Sequence, residues 1–355
     1  MDNGLWADIQ AQDTNLPAVV KHLYGAERSR IEAAAAFLRN DRPIALIGVA
    51  SAQYLCKPAA YYLNQHGRYA SDWCASDAVY SMLPALRGSN IIINSRSGET
   101  AEIVKLSQAL ADESIPFVTI TNEPESTVAQ LAKHIVWAKT HKDELVSINV
   151  VTGMMLATLA LSAAVVGEFD TLYPQFETLA GAMHEVVQRA SQQSGKIFQL
   201  FAGTRPIYLL YRGASSGSAY CGRLVMEEVA RQPGIAMGAA EFRQGPNEVI
   251  DEHFAAVVFV PEGKQGELNL KLAADIQNSG GRVLLVGQVP GPVTGRPSEL
   301  IFPIPDLPDA LRPVLEVVPV QTLAFELAKA QGYEPGEVRY ISKIILTEDG
   351  IPNQS

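Results

Sequence analysis

One stretch of this sequence is written twice. Arg42-Pro43-Ile44-Ala45-Leu46-Ile47-Gly48-Val49-Ala50-Ser51 has a counterpart in Arg205-Pro206-Ile207-Tyr208-Leu209-Leu210-Tyr211-Arg212-Gly213-Ala214-Ser215. The two lie roughly 160 residues apart, one domain length, so any fold must accommodate two similar units. Both stretches are apolar without alternation, which predicts a strand buried on both faces, as in a parallel sheet. Each is followed by helical and strand-like segments in the same order. In the first copy these are a helix to about 65, a short strand over 68–74 and a helix over 76–87. Next come a strand over 90–94, a helix over 101–112, a strand over 116–121, a helix to 132 and a strand over 134–138. The second copy reads helix 216–231, strand near 235, strand 255–260, helix 266–279, strands 282–287 and 300–304, and helix 313–331. This rhythm predicts two doubly wound α/β domains. Ahead of them, 1–40 has helical spacing. Between them lie an apolar helix over 150–166, too broken by Thr, Ser and Gly for a membrane span, and a helix over 175–201. The domain expectation is an N-terminal arm at 1–30, a first domain at 31–168, a linking helix at 169–199 and a second domain with a C-terminal tail at 200–355.

The chemistry concentrates where the strand over 90–94 ends. Asn94-Ser95-Arg96-Ser97-Gly98-Glu99-Thr100 separates that strand from a helix with apolar positions at Ile103, Leu106 and Leu110. A helix start offers unpaired N–H groups and the positive end of the dipole, which together favour an anion. Ser95, Ser97 and Thr100 add hydroxyls, Arg96 adds a cation, and Gly98 lets backbone approach a ligand. A phosphate is the expected ligand. The plainer alternative makes Ser97 or Thr100 a helix N-cap. In the second copy the corresponding turn is Pro261-Glu262-Gly263-Lys264, which has no hydroxyl and carries an acid, so only the first copy is expected to keep the cradle.

Three later segments carry reactive groups. Glu227-Glu228 lies on the helix over 216–231, either as a solvated face or as a source of a general base. Ala240-Glu241-Phe242-Arg243-Gln244-Gly245-Pro246 reads as a loop, functional or merely charged surface. The tail Val338-Arg339-Tyr340-Ile341-Ser342-Lys343-Ile344-Ile345 is too apolar to be disordered and is expected to dock, carrying Lys343 with it.

Taken together, these residues resemble the sugar isomerase (SIS) domain family. They are most similar to the tandem-SIS isomerase half of glucosamine-6-phosphate synthase and to its deglycase, deaminase and isomerase relatives. The resemblance covers roughly residues 30–355 and implies two flavodoxin-like domains, each a mainly parallel sheet flanked by helices. Ser95-Arg96-Ser97-Gly98-Glu99-Thr100 matches the family's Ser-x-Ser-Gly-Glu-Thr phosphate loop, and Ser51 matches a ligand-touching Ser in the turn after the first strand. Glu228 falls at the family's catalytic base. Ser342 and Lys343 match the end of the Leu-Ala-Lys tail motif, whose lysine reaches the sugar. Glu144 opens a segment that loosely resembles a Glu-x-x-Val-Ala-Ser-Thr-Lys motif but lacks its lysine. Gln244 stands where the family has a ring-opening His. It cannot exchange a proton near neutral pH, which disfavours a pyranose substrate. No counterpart of the glutaminase half is present in these residues, so no glutamine hydrolysis is expected.

The resulting expectation is an enzyme that moves a proton between C1 and C2 of a phosphorylated amino sugar or fructosamine, as a deglycase, deaminase or aldose–ketose isomerase. The alternative is a phosphosugar sensor without catalysis. A homodimer with shared sites is implied by the resemblance, and no cofactor or metal is called for. The net charge of −10 and the absence of a Lys/Arg-rich block argue against nucleic acid, and no membrane partner is expected. The three cysteines, Cys56, Cys74 and Cys221, are too widely spaced for a zinc or redox motif and fit a reducing cytoplasm.

Overall fold

The computed structural model describes residues 3–144, 146–340, 342, 344–348 and 350. It divides into two compact units, Thr14–Ala180 with Val338–Ser355, and Met1–Asp13 with Gly181–Glu337. The C-terminal tail therefore groups with the first sheet, whereas the sequence order attached it to the second domain.

The first sheet is built from β1 (Ile44–Gly48), β2 (Ala70–Cys74), β3 (Asn90–Asn94), β4 (Val118–Thr121) and β5 (His134–Trp137) in the order β2-β1-β3-β4-β5. Every pairing is parallel, with Ile44 opposite both Ala70 and Asn90. The strands β1, β3 and β4 are buried throughout, while the edge strands β2 and β5 are only partly covered. One face packs Ala45, Ile47, Ile91 and Ile93 against Ile103, Leu106 and Leu110. Those three residues come from the helix Ala101–Asp112, at the spacing that predicted it.

The helix Asn149–Val166 is long and apolar enough to cross a membrane, but all of its residues except Val166 are buried within the protein. Its start is held by Asp143, whose carboxylate accepts the N–H groups of Ile148, Asn149 and Val150 at 2.9, 2.9 and 3.0 Å. A carboxylate there satisfies orphan donors and complements the helix dipole.

The second sheet comprises β6 (Ile207–Tyr211), β7 (Gly234–Gly238), β8 (Ala255–Val260), β9 (Arg282–Gly287) and β10 (Glu299–Pro303), ordered β10-β9-β8-β6-β7 and again parallel throughout. Counted from its own first strand, each sheet has the flavodoxin-like order, with the switch in direction beside that strand. The helix expected over 313–331 is instead two, Pro313–Glu316 and Val318–Ala330. Pro319, which lacks an N–H, sits in the first turn of the second, where no intrahelical donor is required.

Candidate functional site

In a sheet of this order, ligands bind at the carboxyl ends of the strands flanking the switch point, here β1 and β3. Two turns meet that requirement. After β1, a Cβ at Gly48 would lie 2.4 Å from the backbone of Ala52, so the chain closes tightly there. Ala50 is held at φ +49° and ψ −123°, a conformation that L-residues rarely adopt. Ser51 follows as the first residue of the short helix Ser51–Tyr54 and is half-buried.

The turn after β3 is the loop Ser95–Thr100. Its own hydroxyls shape it. Ser95 Oγ accepts the Gly98 N–H at 3.1 Å, and Ser97 Oγ accepts the Glu99 N–H at 3.2 Å. The next connection anchors it from outside: the Arg96 carbonyl accepts Thr121 Oγ1 and the Asn122 N–H, both at 3.1 Å. Glu99 turns its carboxylate to Thr127, accepting the N–H at 2.7 Å and Oγ1 at 2.8 Å. Gly98 has φ +63°, and a Cβ there would lie 2.0 Å from Ser126 Oγ. Both the backbone conformation and the space demand glycine. Thr100 occupies the N-cap position of the helix Ala101–Asp112, but its side chain makes no capping bond. The N-cap alternative thus describes its place and not the use of its hydroxyl.

Beside the loop is a cavity of about 390 Å³. Arg96 and Ser97 line it from the loop, Asn122 and Ser126 from the turn after β4, and Asp143 and Ile344 from elsewhere in the chain. Ser126 Oγ is buried and makes no hydrogen bond among the described residues. Ser126 and Asp143 were missed in the sequence. Nothing local marks Ser126, but an acid a few residues ahead of a long apolar helix is a legible capping signal. Glu144, by contrast, is exposed. Ser342 Oγ donates to the Ile344 carbonyl at 2.7 Å, and the Ile345 carbonyl accepts the Ala101 N–H at 3.0 Å, so the tail docks at the start of the loop's helix. Lys343 lies outside the described residues.

The SIS domain family model matches residues 37–164, the segment that contains β1 to β5 and both turns. This segment is a SIS domain. The whole chain is similar in fold to the C-terminal domain of glucosamine-fructose-6-phosphate aminotransferase from Francisella tularensis, with a TM-score of 0.81 at 17% identity, covering 94% of this chain and 97% of that one. Tagatose-6-phosphate ketose/aldose isomerase from Escherichia coli gives 0.77 at 18% identity, covering 93% and 94%. In sequence, a glutamine–fructose-6-phosphate aminotransferase of Bradyrhizobium diazoefficiens is 24% identical over 315 residues, 86% of this chain and 52% of the relative. The chain spans about half the length of the curated relatives it matches.

The remaining sequence candidates belong to the second unit, not to the SIS domain matched at residues 37–164. Glu228 is half-buried on the helix Ser216–Ala230. Its neighbour Glu227 lies 3.4 Å from Arg223, and burial pushes the Glu227 carboxyl up from its ordinary range against the opposing pull of that arginine. Gln244 is exposed in the turn after the short helix Ala239–Phe242, just ahead of Gly245 at φ +137°. At the switch point of the second sheet, the turn after β6 is bonded to a buried acid of the protein itself. Ser215, in the turn after β6, donates to the Glu316 carboxylate at 3.1 Å, and Ser218 donates to it at 2.7 Å. Glu316 is fully buried, and desolvation pushes its pKa up to about 7.

Three histidines could stand in for the one absent at Gln244. His66 caps the end of the helix Lys57–Gln65 and lies 3.2 Å from Glu168, and His134 opens β5. Both sit toward the amino ends of the strands, away from the loop. His253 is exposed beside Glu252.

Proposed function

We propose that this protein binds a phosphorylated sugar at Ser95–Thr100 and acts on a fructosamine 6-phosphate or a related amino-sugar phosphate. The observation that carries this reading is the loop itself. It places hydroxyls and a glycine with positive φ at the carboxyl end of β3, beside a cavity and at a helix start whose cap residue leaves its hydroxyl out of capping. Support for the class of reaction comes from the relatives, which are named as aminotransferases, and from fold neighbours named as a ketose/aldose isomerase and a glucosamine-6-phosphate deaminase.

In this reading Ser51, Ser95, Ser97 and Thr100 hold the phosphate, with Arg96 supplying charge. Glu228 is the base. It takes a proton from C1 of an open-chain ketosamine, the C–H electron pair forms the C1–C2 double bond, and the carbonyl pair moves to oxygen. The nitrogen lone pair then forms the C1–N double bond, the C1–C2 pair takes the returned proton at C2, and the N–H proton passes to the C2 oxygen, leaving an imine at C1 and a hydroxyl at C2. Water adds, the C–N bond breaks, and an aldose phosphate and a free amine leave. Lys343 contacts the open-chain sugar. Gln244 favours a substrate that arrives without a closed pyranose ring, because an amide cannot carry the ring-opening proton. The resemblance implies a homodimer with sites shared across subunits.

Incubation with phosphorylated fructosamines and with glucosamine 6-phosphate, following release of amine and hexose phosphate, tests the assignment. Glu228→Gln is expected to abolish turnover while leaving binding intact; retained activity in that variant removes Glu228 as the base. Gln244 also favours a second reading, a sensor, which requires tight binding of hexose phosphates with no turnover in the wild type.

A further inference from the structure

Of the apolar side chains at 344–346 in the tail beside the phosphate loop, Ile344 and Ile345 are half-buried and Leu346 is exposed. Leu346 is 68% exposed, and the non-directional burial of two partly covered side chains favours docking without fixing the register of the tail. Polar contacts fix it. The first is the Ile345 carbonyl on the Ala101 N–H, 3.0 Å, which engages one of the orphan donors at the helix start. The second is one helical turn further on. Lys105 lies on the same face of the helix as Ala101, and its ammonium pairs with the Glu348 carboxylate. Tyr80, the last residue of the helix Ala75–Tyr80, donates its hydroxyl to the same carboxylate at 2.6 Å, and the Lys105 ammonium sits 5.1 Å from the centre of the Tyr80 ring. Three groups from three segments thus converge on one point. Lys105, then Tyr80, holds the Glu348 carboxyl below its ordinary range.

Between these anchors and Ser342 lies Ile344, which forms part of the wall of the cavity beside Arg96 and Ser97. We infer that Glu348 is a positioning residue: clasped by Tyr80 and Lys105, it holds the tail in register, so that Ile344 closes the wall of the phosphate-loop cavity. The inference rests on the proposed reading of that cavity as a phosphosugar site, but its primary readout does not. Glu348 does not touch the ligand. It acts by keeping the tail from leaving, and its loss is expected to weaken ligand affinity more than it slows chemistry.

The test uses the full chain and hydrogen–deuterium exchange. In Glu348→Gln, amide exchange across the tail segment 344–348 and at Ala101 is expected to rise at least ten-fold, with unchanged exchange in β1 and β3. Binding of glucosamine 6-phosphate, or of fructose 6-phosphate as a second probe, is expected to weaken three- to ten-fold. The reversed pair, Lys105→Glu with Glu348→Lys, is expected to recover most of the protection that either single change loses. Wild-type exchange in Glu348→Gln overturns the clasp, as does a reversed pair no better protected than the single variants. Faster exchange with unaltered affinity refutes the link to the cavity wall. If neither probe binds the wild type, the phosphosugar reading fails, and the clasp still stands or falls on the exchange result.

Discussion

Replacing Gly98 with alanine separates the steric demand of the loop from its chemistry. Two costs can be worked out. At φ +63°, alanine adopts a left-handed conformation that costs about 1–2 kcal/mol. The new methyl would also lie 2.0 Å from Ser126 Oγ and 2.5 Å from Ser126 Cβ, well inside ordinary contact. Neither partner can step aside freely. The Ser126 N–H is bonded to the Glu123 carbonyl, and the Val128 N–H to the Gly98 carbonyl, at 3.1 and 3.3 Å. Overpacking of this kind costs about 1–3 kcal/mol. The sum is roughly 2–5 kcal/mol of unfolding free energy. For a unit of this size it corresponds to a melting transition lowered by roughly 5–15 °C. Calorimetry of Gly98→Ala measures the total, and Gly98→Ala combined with Ser126→Gly removes the overlap, leaving the backbone term. Titration with fructose 6-phosphate measures what the distortion does to binding, which is expected to weaken at least ten-fold. A Gly98→Ala protein within about 0.5 kcal/mol of wild type, with unaltered affinity, would refute the reasoning, since that is the range of a surface change without consequence.

Further outcomes follow from the same geometry. Ser97→Ala is expected to weaken phosphosugar binding by about 1–2 kcal/mol, the scale of a hydrogen bond to a charged group, as read by titration calorimetry. Ala50→Gly relieves the strained turn ahead of Ser51 and is expected to raise stability by about 1 kcal/mol after the entropy of glycine is counted, measured by thermal unfolding. Glu316 is pushed up to about 7 in the folded protein against 4.5 for an unperturbed glutamate. Between those values the native state holds a proton that the unfolded chain has lost, so its stabilising effect is complete below pH 4.5 and disappears as pH rises through about 7. The second unit should therefore lose on the order of 3 kcal/mol across that window, and Glu316→Gln should flatten the dependence in denaturant titrations at several pH values.

The loop Ser95–Thr100 and the parallel sheets were legible in the sequence because their signals are local. Unbroken apolar runs predict strands buried on two faces, and hydroxyls with a glycine between a strand and a helix predict an anion cradle. Ile103, Leu106 and Leu110 announced the buried face of their helix. The family resemblance rested on motifs of the same short range. What the sequence did not reveal depends on residues brought together from far along the chain. Ser126 lies under Gly98 only because β4 pairs with β3. The helix over 313–331 breaks in two at Val317, two residues ahead of Pro319. The buried acid bonded to the turn after β6 is Glu316, about a hundred residues from the serines that hold it, so the loss of hydroxyls at 261–264 was visible while the internal acid was not. The tail shows the division most clearly. Its apolar composition determined that it docks. Where it docks was decided by the helix start at Ala101 and by the meeting of Tyr80, Lys105 and Glu348, because an orphan N–H and an ion pair select a partner by position in space and not by distance along the chain.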